Sequence, residues 1–206
     1  MLGILQKNFK YYLIIFFICI IICGTLFGNK MFASHDLKFH TARIMNIVYA
    51  ILDGQTIPTI APDYCNGFGY SWTLFYGGLF PYLVLLVSLI VENIYVSIKI
   101  VLFFIILFSA ITMYNLINDI SKSKKLALLI AIFYILAPYK LIDVYLRLAV
   151  GELLAFVFIP MVFHGLYNII KDNGNKHYLL VIGVVGTVYA HNISLIMVLI
   201  FALYFL

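Results

Sequence analysis

Seven apolar runs fill most of this chain: Tyr11–Phe27, Leu79–Val91, Tyr95–Ile117, Leu126–Ala137, Ala149–Ile170, Tyr178–Ala190 and Ile193–Leu206. Several approach the ~20 residues that a helix needs to cross the ~30 Å hydrocarbon layer of a bilayer. Composition agrees: 65% of residues are hydrophobic and 10% charged, against about 45–50% and about 25% in soluble domains. The mean hydropathy is +1.11. The expected fold is therefore all-α, a polytopic transmembrane helix bundle with about six spans.

Charge decides which runs are expected to cross. If Leu79–Val91 spans, Lys122, Lys124, Lys125, Lys171 and Lys176 fall outside. If it only dips into the interface, all five join Lys7 and Lys10 on the inside, as the positive-inside bias prefers. Length agrees, because a run this short reaches only about 20 Å. The inner side then holds seven lysines and the acids Asp119 and Asp172, and the outer side six basic and six acidic residues. The net charge of +5 reports orientation and anionic-lipid contact rather than nucleic-acid binding.

The resulting layout is a first span at 11–27, an outer loop at 29–93 with interfacial helices, and further spans over 95–206. Leu126–Ala137 extends past Pro138 through Tyr139–Ile142, with Lys140 snorkelling toward the headgroups. Tyr178–Ala190 and Ile193–Leu206 read as two helices meeting at an outer turn, with one long helix burying His191 as the alternative. The final run stops without a polar flank, as expected of the N-terminal part of something longer. The location expected is the plasma membrane, with the N-terminus cytoplasmic.

Chemistry is expected in the outer loop. Ser34 reads as an N-cap with Asp36 in the first turn, and Asp53-Gly54 reads as a stop. At helical spacing, His40 lies about 40° from Asp36 and Arg43 about 20° to its other side, so the three share one stripe. Leu37, Ile44, Val48 and Ile51 make the rest apolar. The pattern is an amphipathic surface helix, and its polar face is either simply solvated or meets a phosphate-bearing lipid headgroup.

Past Gly54, Pro58, Pro62, Asp63, Asn66, Gly67 and Gly69 punctuate a non-helical stretch. The aromatics beyond it, from Tyr64 to Tyr82, fit an interfacial belt or a wall for a sugar or isoprenoid. A second outer cluster holds Tyr139, Lys140, Asp143, Tyr145, Arg147 and Glu152. An acid inside an apolar run costs on the order of 3 kcal/mol at the bilayer centre and persists when partnered or used, and Arg147 is the partner in reach of Glu152. His191-Asn192 closes the set.

Cys19 and Cys23 read as small packed hydrophobes and Cys65 as a lone loop thiol, so no disulfide framework exists. Gly67-Phe68-Gly69 lacks the flanking strand and helix of a dinucleotide loop, and neither zinc spacing nor a serine elbow is present.

Taken together, Ser34-His35-Asp36-Leu37-x-Phe39-His40-x-x-Arg43, Asp53-Gly54, Asn66-Gly67-Phe68-Gly69-Tyr70, Phe75-Tyr76 and Phe80-Pro81-Tyr82 resemble a group of bacterial polytopic membrane proteins. That group goes by the labels YfhO-like and 6-pyruvoyl-tetrahydropterin-synthase-related. Ala137-Pro138-Tyr139-Lys140-Leu141-x-Asp143, Arg147, Gly151-Glu152 and His191-Asn192 continue the resemblance over most of the chain. Nothing in the sequence suggests a pterin pocket.

The resemblance implies membership of the GT-C superfamily of integral membrane glycosyltransferases. These use polyprenyl-phosphate-linked sugars and carry an essential acid in the first outer loop, a position that Asp36 matches. It implies Asp36 as base or metal ligand and Glu152 as a second acid, with His35, His40, Arg43, Arg147 and His191 near the lipid phosphate. Some members use a divalent metal, but this chain places no second acid beside Asp36. The expected partners are membrane lipid and the polyprenyl-phosphate sugar donor. The rival readings are a transporter or flippase-like carrier of such a lipid and a non-catalytic protein of the same fold.

Overall fold

The computed structural model describes residues 2–28, 30–55, 58–61, 64–171 and 176–205. Pro62 and Asp63 of the punctuated stretch, the inner acid Asp172 and the terminal Leu206 lie outside the described residues. Those described are all-helical apart from turns and a single antiparallel bridge between Ala61 and Tyr70. In chain order the helices are α1 (Leu2–Ile22), α2 (Leu37–Leu52), α3 (Trp72–Phe75), α4 (Leu79–Ser88), α5 (Ile94–Ser121) and α6 (Lys124–Ile135). They continue as α7 (Pro138–Ile142), a π-helical turn (Asp143–Arg147), α8 (Val150–Ile170), α9 (Tyr178–Ala190) and α10 (Asn192–Phe205).

Local chemistry sets most boundaries. The Asn93 side chain caps α5 by accepting from the Tyr95 and Val96 amides at 3.0 and 3.3 Å, and the Ser123 hydroxyl caps α6 by accepting from Leu126 at 3.4 Å. Between them Lys122 takes the left-handed conformation (φ 55°) that ends α5. Pro138 starts α7 and forces Ala137 into extended backbone, which ends α6. α2 runs to Leu52, and Gly54 (φ 88°) supplies the expected stop. Its start differs from expectation: Asp36, not Ser34, occupies the N-cap, and the Asp36 side chain makes no capping bond.

Among the described residues, only α5 and α8 are single helices long and apolar enough to cross a membrane. α6 with the α7 segment, bent by 45°, makes a third if counted as one broken span. The six expected crossings therefore reduce to two or three by length and composition. The apolar part of α1 from Asn8 to Ile22 falls short, as do α9 and α10 at 13 and 14 residues, which rise only about 20 Å. Tyr178–Phe205 is indeed two helices, broken where His191 is extended (φ −159°). α4 is a ten-residue helix, too short to span, as its run suggested.

The main core gathers Ile15 and Cys19 from α1, Phe80 and Val84 from α4, Leu102 and Ile106 from α5, Ala131 from α6, and Leu153 and Leu154 from α8. α5 and α8 are its central pair. α9 packs on α8 closely enough that a Cβ on Gly183 would lie 2.6 Å from the Val162 amide nitrogen. Packing of this kind holds helices together where lipid leaves no hydrophobic drive between them.

Lys140 departs from its expected snorkelling position. The bend at Pro138 turns it inward, where it is 2% exposed, with Nζ 3.5 Å from the Tyr134 ring centroid and 3.3 Å from Ser109 Oγ. Aromatic faces and a hydroxyl surround the amine in place of headgroups.

Because the obstacle at Gly183 is backbone, Gly183→Ala should part α8 from α9 and lower thermal stability in detergent by about 1–3 kcal/mol. Gly24→Ala, whose Cβ meets nothing within 4 Å, should leave the melting temperature in place. Equal melting of the two variants would contradict the close α8–α9 contact.

A candidate site where the outer loop meets the π turn

Three stretches far apart in sequence meet at one end of the α5–α8 pair. The first is the π turn together with Leu148 and Ala149. Leu148, fully buried, adopts a left-handed conformation (φ 60°), which costs a branched residue about 1–2 kcal/mol. Its reversal lets the Ala149 amide donate to the Asp143 carbonyl at 3.0 Å and starts α8 on a new axis. π turns and left-handed residues of this kind recur at functional sites.

The turn presents an ionic cluster. Arg147 Nη1 donates to Asp143 Oδ1 at 2.7 Å and to the Tyr139 hydroxyl at 3.1 Å, and Nη2 donates to Glu152 Oε1 at 3.0 Å. The Tyr139 hydroxyl donates to the other Glu152 oxygen. The Arg147–Glu152 pair anticipated from sequence thus forms. Asp143, fully buried, is a second carboxylate on the same guanidinium, and its Oδ2 has no partner among the described residues.

The second stretch docks by backbone. The His35 and Asp36 amides donate to the Leu146 and Arg147 carbonyls, both at 3.0 Å. This places Asp36 beside the ionic cluster at half-buried depth, and its carboxylate forms no hydrogen bond or ion pair among the described residues. His35 is exposed next to it.

The stripe predicted to join Asp36, His40 and Arg43 does not stay together. His40 and Arg43 are 1% and 0% exposed and turn away from solvent toward α3 and α4. The Arg43 guanidinium carbon lies 4.4 Å from the Trp72 ring centroid and 4.3 Å from that of Tyr76. Nη2 donates to the Gly77 carbonyl at 2.7 Å, and Nη1 sits 3.2 Å from His40 Nδ1. Aromatic faces replace the expected phosphate, because α2 packs its polar stripe inward onto the 72–80 segment. Neither residue is placed to meet a headgroup.

Burial sets the protonation of this pair. Loss of water pushes the His40 imidazole down to about 3, with the Arg43 charge adding to the effect, and burial also pulls Arg43 down to about 10. His40 Nδ1 therefore accepts from Arg43 as part of a neutral ring, the tautomer this contact requires.

The third stretch is the α9–α10 corner. Gly77 lies so near it that a Cβ would be 2.2 Å from the Ala190 carbonyl oxygen, and Tyr76 stands between His40 and His191 at ring distances of 5.7 and 6.0 Å. His191 Nδ1 is 2.9 Å from Ser194 Oγ, and burial holds the ring below its ordinary value. From this corner an apolar groove of about 550 Å³ runs between α8 and α10. Tyr139, Glu152, His191 and Ser194 form its polar mouth, and Phe156, Met197 and Phe201 are among its apolar walls.

Glu152 and His191 thus line one mouth, Arg147 is paired to Glu152, and the His35 and Asp36 backbone docks on the Leu146–Arg147 segment, whereas His40 and Arg43 are buried against the aromatic 72–80 segment. Tyr139 and Asp143 belong to the second outer cluster read from the sequence, without a role assigned there, whereas the place of Tyr76 between His40 and His191 arises from contacts across the fold. Three or more His, Cys, Asp or Glu side chains do not converge in a metal-holding group among the described residues. Asp143 and Glu152 are tied to Arg147, so the donor set does not fit the divalent ion that the resemblance allowed.

A neutral buried His40 has a pH consequence. Unfolded, it titrates near 6.5, so its contribution to stability is complete above that value and is lost as the pH falls toward about 3. His40→Gln should shrink the drop in melting temperature between about pH 7 and about pH 4.5. An unchanged acid limb would show that His40 is not buried as described.

The chain is similar to a Lactococcus lactis subsp. cremoris (strain MG1363) protein described as an uncharacterized protein, at 29% identity over 206 residues. The match covers 98% of this chain and 34% of the relative, so the chain spans about a third of the length of that protein. No family model matches the chain, and no solved structure matches it.

Proposed function

We propose that this chain carries the reactive end of an integral membrane glycosyltransferase of the GT-C type, moving a sugar from a polyprenyl-phosphate donor to an extracytoplasmic acceptor. The observation that supports it best is the apolar groove along α8 and α10 ending at a charged mouth. An isoprenoid tail matches the groove, and a phosphate matches the arginine at its end. In this reading α1, α9 and α10 insert alongside α5, α8 and the bent α6–α7 pair. The N-terminus is then cytoplasmic and α2–α4 lie at the outer face of the plasma membrane.

The residues divide the work by what they are free to do. Deprotonating an acceptor hydroxyl needs a carboxylate not already neutralised, and Asp36 meets that condition. Arg147 is 37% exposed and can turn a donor from Glu152 to the departing lipid phosphate. Glu152, Asp143 and Tyr139 hold the guanidinium in place until then. His191, at the opposite lip, offers a neutral ring to the sugar or phosphate.

Asp36→Asn should lower sugar transfer by roughly 10²–10⁴-fold while the protein accumulates normally in membranes. Transfer measured with labelled sugar in membrane vesicles checks it, and undiminished transfer would remove the enzyme reading. Tolerance of Asp36→Asn combined with loss of function in Glu152→Gln would point to a lipid carrier instead.

A further inference from the structure

A second polar cluster lies on the same helices, far from the first. His164 is twelve residues beyond Glu152 along α8, or about 18 Å at helical rise. Its Nε2 is 2.7 Å from Asp119 Oδ2 on α5, and Lys176, just before α9, donates to the same oxygen. Both His164 and the neighbouring Asn168 are nearly buried, and Asn168 donates to the His164 carbonyl at 2.7 Å. Ionisable and amide groups packed between membrane-length helices are costly unless they are partnered or used.

These groups line an open cleft of about 380 Å³ between α1, α5, α8 and α9, rather than a closed knot. The cleft is rich in donors. Tyr12 spends its hydroxyl proton on Asn115 Oδ1 at 2.7 Å, which leaves the Asn115 amide hydrogens to donate elsewhere. The Asn118 carboxamide, also in the lining, has no partner among the described residues. Outside the lining, Lys122 and Lys171 follow the last residues of α5 and α8, Lys124 and Lys125 begin α6, and Lys10 lies between Asn8 and Tyr12 on α1. These make a rim of basic positions in the chain at which Asp119 is the one acid among the described residues. A concentration of positive charge over uncommitted amide donors favours an anion with several acceptor oxygens.

We infer that this cleft binds a phosphate-bearing ligand, with Lys176, Asn115 and Asn118 as its donors and Asp119 as an internal stand-in that holds Lys176 and His164 when the cleft is empty. On entry, the phosphate takes over Lys176 from Asp119. The inference is independent of sugar transfer, since it concerns the end of the bundle away from Asp36 and Glu152. The phosphate belongs either to an anionic phospholipid reaching in from the membrane or to a free phosphate ester.

The test uses the purified membrane protein in two arms. Native mass spectrometry from mixed phosphatidylglycerol and phosphatidylcholine nanodiscs reads retained phosphatidylglycerol. Calorimetric titration with glycerol phosphate in a neutral detergent reads the free ester. Binding in the first arm alone assigns a lipid, and binding in the second assigns a soluble ligand.

In whichever arm binds, Lys176→Gln combined with Asn118→Leu should weaken retention roughly tenfold, the value of one charge-assisted contact. Asp119→Asn should strengthen it by removing the competing carboxylate. Lys122→Gln with Lys125→Gln, on the rim only, should change it little, and unaltered melting temperatures check that each variant is folded. Absence of binding in both arms would overturn the inference. So would weaker binding in Asp119→Asn, or an equal loss from the rim and cleft variants.

Discussion

The turn from Asp143 to Leu148 is the constraint on which the rest of the candidate site depends. A regular helix continuing from Pro138 would still keep Arg147 near Asp143, four residues back, but would leave α8 on the same axis. The π turn and the left-handed Leu148 break that course, so that Arg147 folds back between Asp143 and Glu152. The same irregular backbone exposes the Leu146 and Arg147 carbonyls, which the amides of His35 and Asp36 use. A straightened turn would part Glu152 from Arg147 and engage the Leu146 and Arg147 carbonyls within the helix, closing the docking edge for the outer loop. The local cost of about 1–2 kcal/mol at Leu148 is offset by its complete burial.

Charge is scarce in this chain, and much of it is structural. Arg43, Lys99 and Lys140 are all buried, and none is held by a carboxylate. Arg43 rests on Trp72 and Tyr76 and donates to Gly77. Lys99 Nζ donates to the Gly28 and Lys30 carbonyls at 2.6 and 2.9 Å, closing the chain after α1 onto α5. Lys140 sits over Tyr134 and Phe156. Each of these side chains fixes a loop or bend to a helix through carbonyl dipoles or ring faces, which are worth more once water is excluded. Arg147, by contrast, is held by the carboxylates of Asp143 and Glu152, the latter at the mouth of the groove.

Legibility in the sequence followed the range of the interaction. The α2 stop at Asp53-Gly54 is a contact between near neighbours, and its residue types announce it, whereas the run expected to continue past Pro138 bends there by 45°. The Arg147–Glu152 pair was legible because only four residues lie between its members. The fate of the Asp36, His40 and Arg43 stripe was not legible. Helical spacing shows that three side chains share a face, but it does not show what covers that face. Here Trp72, Tyr76 and Phe80 cover its second half.

By itself the sequence determined that the chain is helical and strongly apolar, roughly where its apolar runs lie, and that its charges gather in a few short stretches. These properties arise from composition, period and the conformational limits of proline, glycine and capping residues, all of which act within a few positions. Only the tertiary structure decided that α5 and α8 form the centre, and that α9 turns back at His191 to lay α10 beside a groove. It also decided that Asp36 meets Arg147, whereas Arg43 disappears into an aromatic cage. Those outcomes depend on which surfaces fit together without voids or unpartnered charge, a property of the whole packed assembly that no local pattern encodes.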